Sequence, residues 1–305
     1  MGDHHGRDAI EQLIAPFRIS EPDDFRLADH DPGTTDGVKH KADAQERLAA
    51  GTERLAELQD RLAAQQTYGL LVAIQALDAA GKDGAVKHVM TGVNPAGVRV
   101  HNFKTPSHEE LAHHFLWRVS SALPRRGEIA IFNRSHYEEV LVVRVHPDLL
   151  GSQNLPPAAV KGDIWKRRFR EINDWERMLV DNGFPVVKLF LHLSKQEQRK
   201  RLLARIDTPA KNWKFSTLDI AEREHWDDYQ TAYEDAIRHT ATKAAPWYVV
   251  PADNKWFTRL VVAEIVAAAL LDIDPRYPEL SATELAGLGE AKRRLEAEDL
   301  GRLER

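Results

Sequence analysis

The residues with most to offer chemically lie between the apolar run Leu70-Leu71-Val72-Ala73-Ile74 and a helical segment opening at Lys82: Gln75-Ala76-Leu77-Asp78-Ala79-Ala80-Gly81-Lys82-Asp83-Gly84. A strand, a loop of small residues and a helix with lysine at its start form the layout of a phosphate-binding loop. Backbone N–H groups from Ala79 through Ala80, Gly81, Lys82 and Asp83 to Gly84 would cradle phosphate oxygens, and Lys82 would bridge to the group being transferred. The usual Walker A pattern, G-x-x-x-x-G-K-[ST], wants Gly at position 76 and Ser or Thr at 83, where this chain has Ala76 and Asp83. Without the hydroxyl a magnesium ion loses its customary ligand. Asp78 is the natural replacement, because a carboxylate inside a phosphate loop repels the substrate unless a divalent cation lies between them. The competing reading is an ordinary small-residue turn.

A second stretch, Ile129 to Asn133 followed by Arg134-Ser135-His136-Tyr137-Glu138-Glu139, is an apolar run that ends in a burst of polar residues. Arg134 can donate two parallel hydrogen bonds to a phosphate, and Glu138 stands where an acid could assist a metal. A histidine such as His136 is more often a packing residue than a base. A third stretch, Arg199 to Ser216, crowds cations at a helix end and a Pro-interrupted loop. On a chain of net charge −5 such a cluster points to a polyanion and to a lid, at about 205–225, that closes over it. Trp213 and Phe215 among the lysines leave single-stranded nucleic acid open as an alternative.

These segments must be brought together by the elements around them. Short apolar runs at Gly69–Leu77, Gly97–Phe103, Glu128–Asn133, Pro185–Leu193 and Trp247–Pro251 read as strands. They alternate with helical stretches near Lys82–Met90, Ser107–Ala122, Lys161–Asn182, Lys195–Arg205 and Leu218–His239. That alternation predicts a parallel sheet covered on both faces, with the chemistry along the edge formed by the strand C-terminal ends. Leu48, Leu55, Leu58 and Leu62 mark one apolar stripe on a helix from Lys41 to Gln66. Residues 1–40 show no sustained period and read as an N-terminal arm. Residues 41–274 then form the domain, and 275–305 a charged helical tail.

With 305 residues and 43% hydrophobic residues, the chain can bury one sizeable core. It has no cysteine, which excludes disulfides, thiolate catalysis and Cys-ligated metal centres. No signal-peptide run and no stretch of about 20 apolar residues is present, so the expectation is a soluble cytoplasmic protein with no membrane partner. The negative total argues against nucleic acid.

Together the segments Asp78–Gly84, Phe132–Glu138 and Arg205–Phe215 resemble the family 2 polyphosphate kinases. The likeness runs from about Gln66 to Ala269 and takes in Asn102-Phe103-Lys104-Thr105-Pro106, Phe115-Leu116-Trp117-Arg118, Trp226-Asp227-Asp228-Tyr229 and Ala245–Asp253. It implies a thymidylate-kinase-like P-loop fold: a three-layer α/β/α sandwich with a parallel five-stranded sheet and a helical lid. It also implies magnesium, inorganic polyphosphate as donor, adenine or alternatively guanine nucleotides as acceptors, and a homo-oligomer, dimer or tetramer. The sequence Asn133-Arg134-Ser135-His136-Tyr137-Glu138 is similar to the third class, which phosphorylates both AMP and ADP. On this resemblance Asp78, Lys82 and Arg134 are catalytic, with Asp78 the metal ligand. Arg205, Lys211 and Lys214 hold the polyphosphate chain, and Lys104, Arg118, Asn133 and Glu138 serve the nucleotide. Two rivals stand beside it: an ATP-dependent nucleoside monophosphate kinase, and a non-catalytic polyphosphate or nucleotide sensor.

Overall fold

The computed structural model of the chain describes residues 2–298, with side chains for all of these except residues 2–5 and 214. Six strands form one sheet: β1 (Arg18–Ile19), β2 (Leu70–Gln75), β3 (Val98–Asn102), β4 (Ile129–Asn133), β5 (Val186–His192) and β6 (Trp247–Pro251). Their order is β1-β6-β5-β2-β4-β3. The five strands expected from the apolar runs are all present and parallel, and the two-residue β1 adds an antiparallel edge against β6. Every residue of β2, β4, β5 and β6 is buried, as continuous apolar runs covered on both faces require. Edge strand β3 is half exposed.

Strand β2 lies at the centre, paired with β4 on one side and β5 on the other. The chain leaves it toward opposite sides of the sheet, so the crevice beyond its C-terminal end is a topological switch point. Register sets what meets there. Ile74 is level with Asn133, and Gln75 with Phe190, so the loops leaving β2 and β4 emerge side by side.

One face of the sheet is covered by the helices Lys41–Gln65 and Lys255–Ile273, with Gly2–Ile14 packed on the latter. Leu55, Leu58 and Leu62 are buried there. The helices Ile164–Asp181 and Trp226–Thr240 cover the other face, completing three layers. Two expected helices are broken. Ser107–Ala122 becomes His108–Leu111 and Trp117–Ser120, because Ala112 and His113 close i→i+3 turns onto Glu109 and Glu110 carbonyls. Leu218–His239 divides at His225 into Leu218–Glu224 and Trp226–Thr240.

Residues 2–40, expected as an arm apart from the domain, are part of it. Ile10, Leu13, Ile14 and Phe17 join the core against the Lys255–Ile273 helix, and Phe25 and Leu27 join the core on the other face. The pieces are too short to show a period: a helix, a 3-10 turn (Ala15–Phe17) and a two-residue strand. At the other end the helix Ala282–Glu296 is exposed along its whole length. Its link to the body includes Tyr277, whose hydroxyl donates to Asp60 at 2.6 Å.

Candidate active site

The loop leaving β2 is held in an uncommon shape. Ala79 (φ 66°) and Gly81 (φ 109°) both adopt left-handed backbone. Gly81 does so freely, whereas for Ala79 it costs roughly 1–2 kcal/mol. Alternation of this kind turns successive N–H groups into a concavity that suits anions. Gly81 is also the N-cap of the helix Lys82–Val89, so the helix's positive end opens into the same space. Lys82 curls back over the loop and donates from Nζ to the Ala76 carbonyl at 2.5 Å. Burial pushes its ammonium below the ordinary lysine range, with Asp78 opposing the shift and Arg134 adding to it.

Arg134 follows β4, with its own positive φ of 62° held by an N–H bond to the Ile74 carbonyl of β2 at 3.1 Å. That bond ties the start of the loop after β4 to the end of β2. The guanidinium stands between two acids, Nη2 3.5 Å from Asp78 Oδ1 and Nη1 3.6 Å from Glu138 Oε2. Burial works against its charge, but Glu138 and Asp78 outweigh burial and hold it above the ordinary arginine range. For Glu138 burial wins: its carboxyl is raised although Arg134 and Lys82 pull it down. Asn133 donates from Nδ2 to Asp83 Oδ1 and to Asn102 Oδ1, both at 2.7 Å, linking the ends of β4 and β3 to the start of the Lys82–Val89 helix.

A cavity of about 630 Å³ opens over this loop, lined by Asp78 to Gly84, Asn102 to Thr105, Asn133, Arg134 and Arg205. A second, of about 170 Å³, shares Phe103, Lys104, Thr105 and Arg134 with it and adds Glu138 and an apolar wall of Leu111, Phe115, Val142, Val143 and Leu149. The structure therefore brings Asp78, Lys82, Arg134, Asn133, Lys104, Glu138 and Arg205 around two adjoining spaces. Arg118 lines the second, but its Nε lies 3.1 Å from Glu110 and its Nη2 donates to the Lys104 carbonyl. It shapes the Lys104 loop more than it offers a free cation. Lys211 is exposed on the lid turn Pro209–Lys214 and lines neither space. The Lys214 side chain lies outside the described residues.

His136 and Tyr137 point inward. His136 Nε2 lies 3.1 Å from Glu176 Oε1, to which the Tyr137 hydroxyl donates at 2.8 Å. Lys188, in the middle of β5, donates to Glu176 Oε2 and to the Thr240 carbonyl, both at 2.6 Å. All four side chains are buried. Burial would raise the Glu176 carboxyl, but Lys188 and His136 hold it below the ordinary carboxylate range. Sequence reasoning missed Glu176 and Lys188; a lysine inside Val186-Val187-Lys188-Leu189 was the available signal, since a buried charge needs a partner.

It also missed Gln198 and Arg201 on the helix Lys195–Ile206, although Arg205 of the same helix was legible. Gln198 and Arg201 contact the phosphate loop, and Arg205 lies 3.3 Å from Asp219 of the lid helix. Their spacings of three and four place them on one helix face. In the sequence Arg201 is one of several cations clustered between Arg199 and Ser216.

Asp78 and Asp83 are the carboxylates on the larger cavity. No group of three or more His, Asp or Glu side chains able to hold a metal forms among the described residues. Magnesium does not need one, since it is commonly bound by one or two carboxylates together with substrate phosphates and water. An all-oxygen donor set beside a phosphate cradle fits that ion.

Fold and site together define a P-loop phosphotransferase. A family model described as Polyphosphate kinase 2 (PPK2) matches residues 38–277. The chain is 47% identical over 264 residues to an ADP-polyphosphate phosphotransferase of Rhodopseudomonas palustris, covering 86% of this chain and 91% of that one. It is 46% identical over 264 residues to an AMP/ADP-polyphosphate phosphotransferase of Meiothermus ruber, covering 86% and 95%. The crystal structure of polyphosphate kinase 2 from Arthrobacter aurescens TC1 superposes with a TM-score of 0.81 at 41% identity, covering 90% of this chain and 95% of that one. The chain belongs to the polyphosphate kinase 2 family.

Proposed function

We propose that this chain moves the terminal phosphoryl group of inorganic polyphosphate onto AMP and ADP, making ADP and ATP, and that the same site runs in reverse. The observation that carries the reading is the position of Arg134. It stands on both cavities, between Asp78 of the phosphate cradle and Glu138 beside the apolar pocket. A donor phosphate in the cradle and an acceptor phosphate arriving from the pocket would meet at this guanidinium. The names of the Rhodopseudomonas and Meiothermus relatives support the donor and the acceptors.

Phosphoryl transfer of this kind depends on positioning and on neutralising charge. Lys82 and Arg134 supply fixed positive charge to the equatorial oxygens, and the N–H groups of Ala79, Gly81 and the helix start from Lys82 to Gly84 hold the donor phosphate, while that of Ala80, expected to share the task, bonds the Leu77 carbonyl instead. Asp78, with Asp83 close by, would hold magnesium, which when bound screens the phosphate charge and helps align donor and acceptor. The acceptor oxygen is already ionised near neutral pH, so no side chain needs to act as a strong base. Phe115, Val142 and Leu149 offer an apolar surface to the nucleoside, while Glu138 and Lys104 fix its polar end. Arg205 faces the cradle from the base of the lid, and Lys211 extends the positive surface outward along it.

The family likeness extends the proposal to a dimer or tetramer working in the cytoplasm. No helix among the described residues is long and apolar enough to cross a membrane. Acceptor class is tested by supplying AMP with polyphosphate and magnesium and resolving nucleotides by ion-exchange chromatography over time. ADP followed by ATP supports dual acceptor use; ADP alone restricts the chain to AMP.

A further inference from the structure

Three consecutive carbonyls of the phosphate loop are gripped from one side by a single helix. Gln198 Nε2 donates to the Asp78 carbonyl at 3.1 Å. Arg201 Nη1 donates to the Ala79 carbonyl at 3.1 Å and to the Ala80 carbonyl at 2.7 Å. The other nitrogen of the same guanidinium, Nη2, donates to the carbonyls of Ala252 at 2.6 Å and Asp253 at 2.9 Å, just beyond β6. Arg201 is 6% exposed, and its Nε is held by Glu197 at 2.9 Å. It therefore spends its donors on protein and none on substrate.

A trans peptide is planar, with the N–H of each unit opposed to its C=O. Drawing the carbonyls of residues 78, 79 and 80 toward the helix turns the N–H groups of residues 79, 80 and 81 the other way. The Ala80 N–H closes a turn onto the Leu77 carbonyl at 3.3 Å, which leaves those of Ala79 and Gly81 for a phosphate. This grip also explains how Ala79, with no glycine's freedom, stays at φ 66°. Gln198 is tied in turn to the lid: Arg223 Nη1 donates to its Oε1 at 2.7 Å and to the Lys195 carbonyl at 2.9 Å.

We infer that Gln198 and Arg201 are positioning residues that orient the phosphate loop's N–H groups toward the donor, with Arg223 linking that orientation to the lid. The inference rests on the phosphotransferase reading of the site. Neither residue touches the reacting atoms. An ammonium cannot reach both pairs of carbonyls as a planar fork does, so Arg201→Lys keeps the charge and loses the grip.

The test uses the full-length chain and inorganic tripolyphosphate as the binding probe. Arg201→Lys should lower turnover at least 30-fold and weaken tripolyphosphate binding at least tenfold by calorimetry, with AMP binding changed less than threefold. Gln198→Leu should show the same split at about a third of the size, and it keeps the idea testable if Arg201→Lys fails to fold. Placing Ala79→Gly in the Arg201→Lys background should recover turnover severalfold, because glycine holds a left-handed φ without cost; a merely structural role for Arg201 predicts no such rescue. Gln198→Leu with tripolyphosphate binding and turnover within twofold of wild type overturns the inference, as does equal weakening of AMP and tripolyphosphate. A wild-type chain that binds tripolyphosphate but transfers nothing to a nucleotide overturns the functional reading alone, and the binding series still decides this one. If wild type binds no tripolyphosphate, both fall.

Discussion

On the proposed function, Lys82, Asp78 and Arg134 would divide the handling of charge at the site. In the proposed transfer the lysine and arginine would face the phosphates, and the aspartate would anchor the metal between them. Lys82→Ala and Asp78→Asn should each lower turnover by about two orders of magnitude or more, the scale of losing one preorganised charge-stabilising group, with the fold intact by circular dichroism. Unchanged turnover in both would remove the loop from the mechanism. Glu138→Gln should act differently: it keeps the shape of the side chain but loses the ion pair with Arg134, so the AMP KM should rise severalfold while the polyphosphate KM holds. At this scale the sequence displayed most of the site, since Asp78, Lys82, Arg134 and Glu138 all fall in two short motifs. It hid Gln198 and Arg201, because their contacts join residues about 120 positions apart and a surface cation reads the same as a buried one until the fold is known.

Among the elements, β5 carries two buried polar groups that an apolar strand should not tolerate. Lys188 holds Glu176 and, through it, the Tyr137 and His136 that lie between Arg134 and Glu138. Lys188→Met would strand the Glu176 charge and should destabilise by about 3–5 kcal/mol in urea unfolding; adding Glu176→Gln should recover part of it. At the end of the same strand His192 is lowered to about 4, by burial first and by the nearby His30 second. The unfolded chain takes up this proton below about pH 6.5, and the folded chain refuses it until about pH 4. Its stabilising contribution is therefore present above pH 6.5 and is lost as pH falls through that window, by roughly 3 kcal/mol. His192→Asn should flatten the pH dependence of urea stability between 6.5 and 4; an unchanged slope would contradict the assignment. The five parallel strands were legible as apolar runs, but the two-residue β1 was not. The breaks at Ala112 and His225 were not, because local i→i+3 turns interrupt a periodicity that continues across them.

For the whole molecule, the two ends behave oppositely. The first 17 residues bury Ile10, Leu13, Ile14 and Phe17 in the main core, each worth about 1.5–3 kcal/mol of burial, so their removal should lower Tm by more than 10 °C or abolish folding. Truncation after Pro278 removes residues whose described side chains are all exposed and should leave Tm within about 2 °C. The sequence showed the C-terminal segment as a charged helical tail but not the N-terminal packing, whose pieces are too short for a period.

On this reading, phosphate passes from polyphosphate to a nucleotide at the loop from Ala76 to Gly84. Purified protein given ADP, magnesium and polyphosphate, with no ATP, should produce ATP without an equivalent amount of AMP, and Lys82→Ala should abolish it. ATP matched one for one by AMP would mean that two ADP molecules had disproportionated. That result, or product formed only with a nucleoside triphosphate donor, would contradict the account.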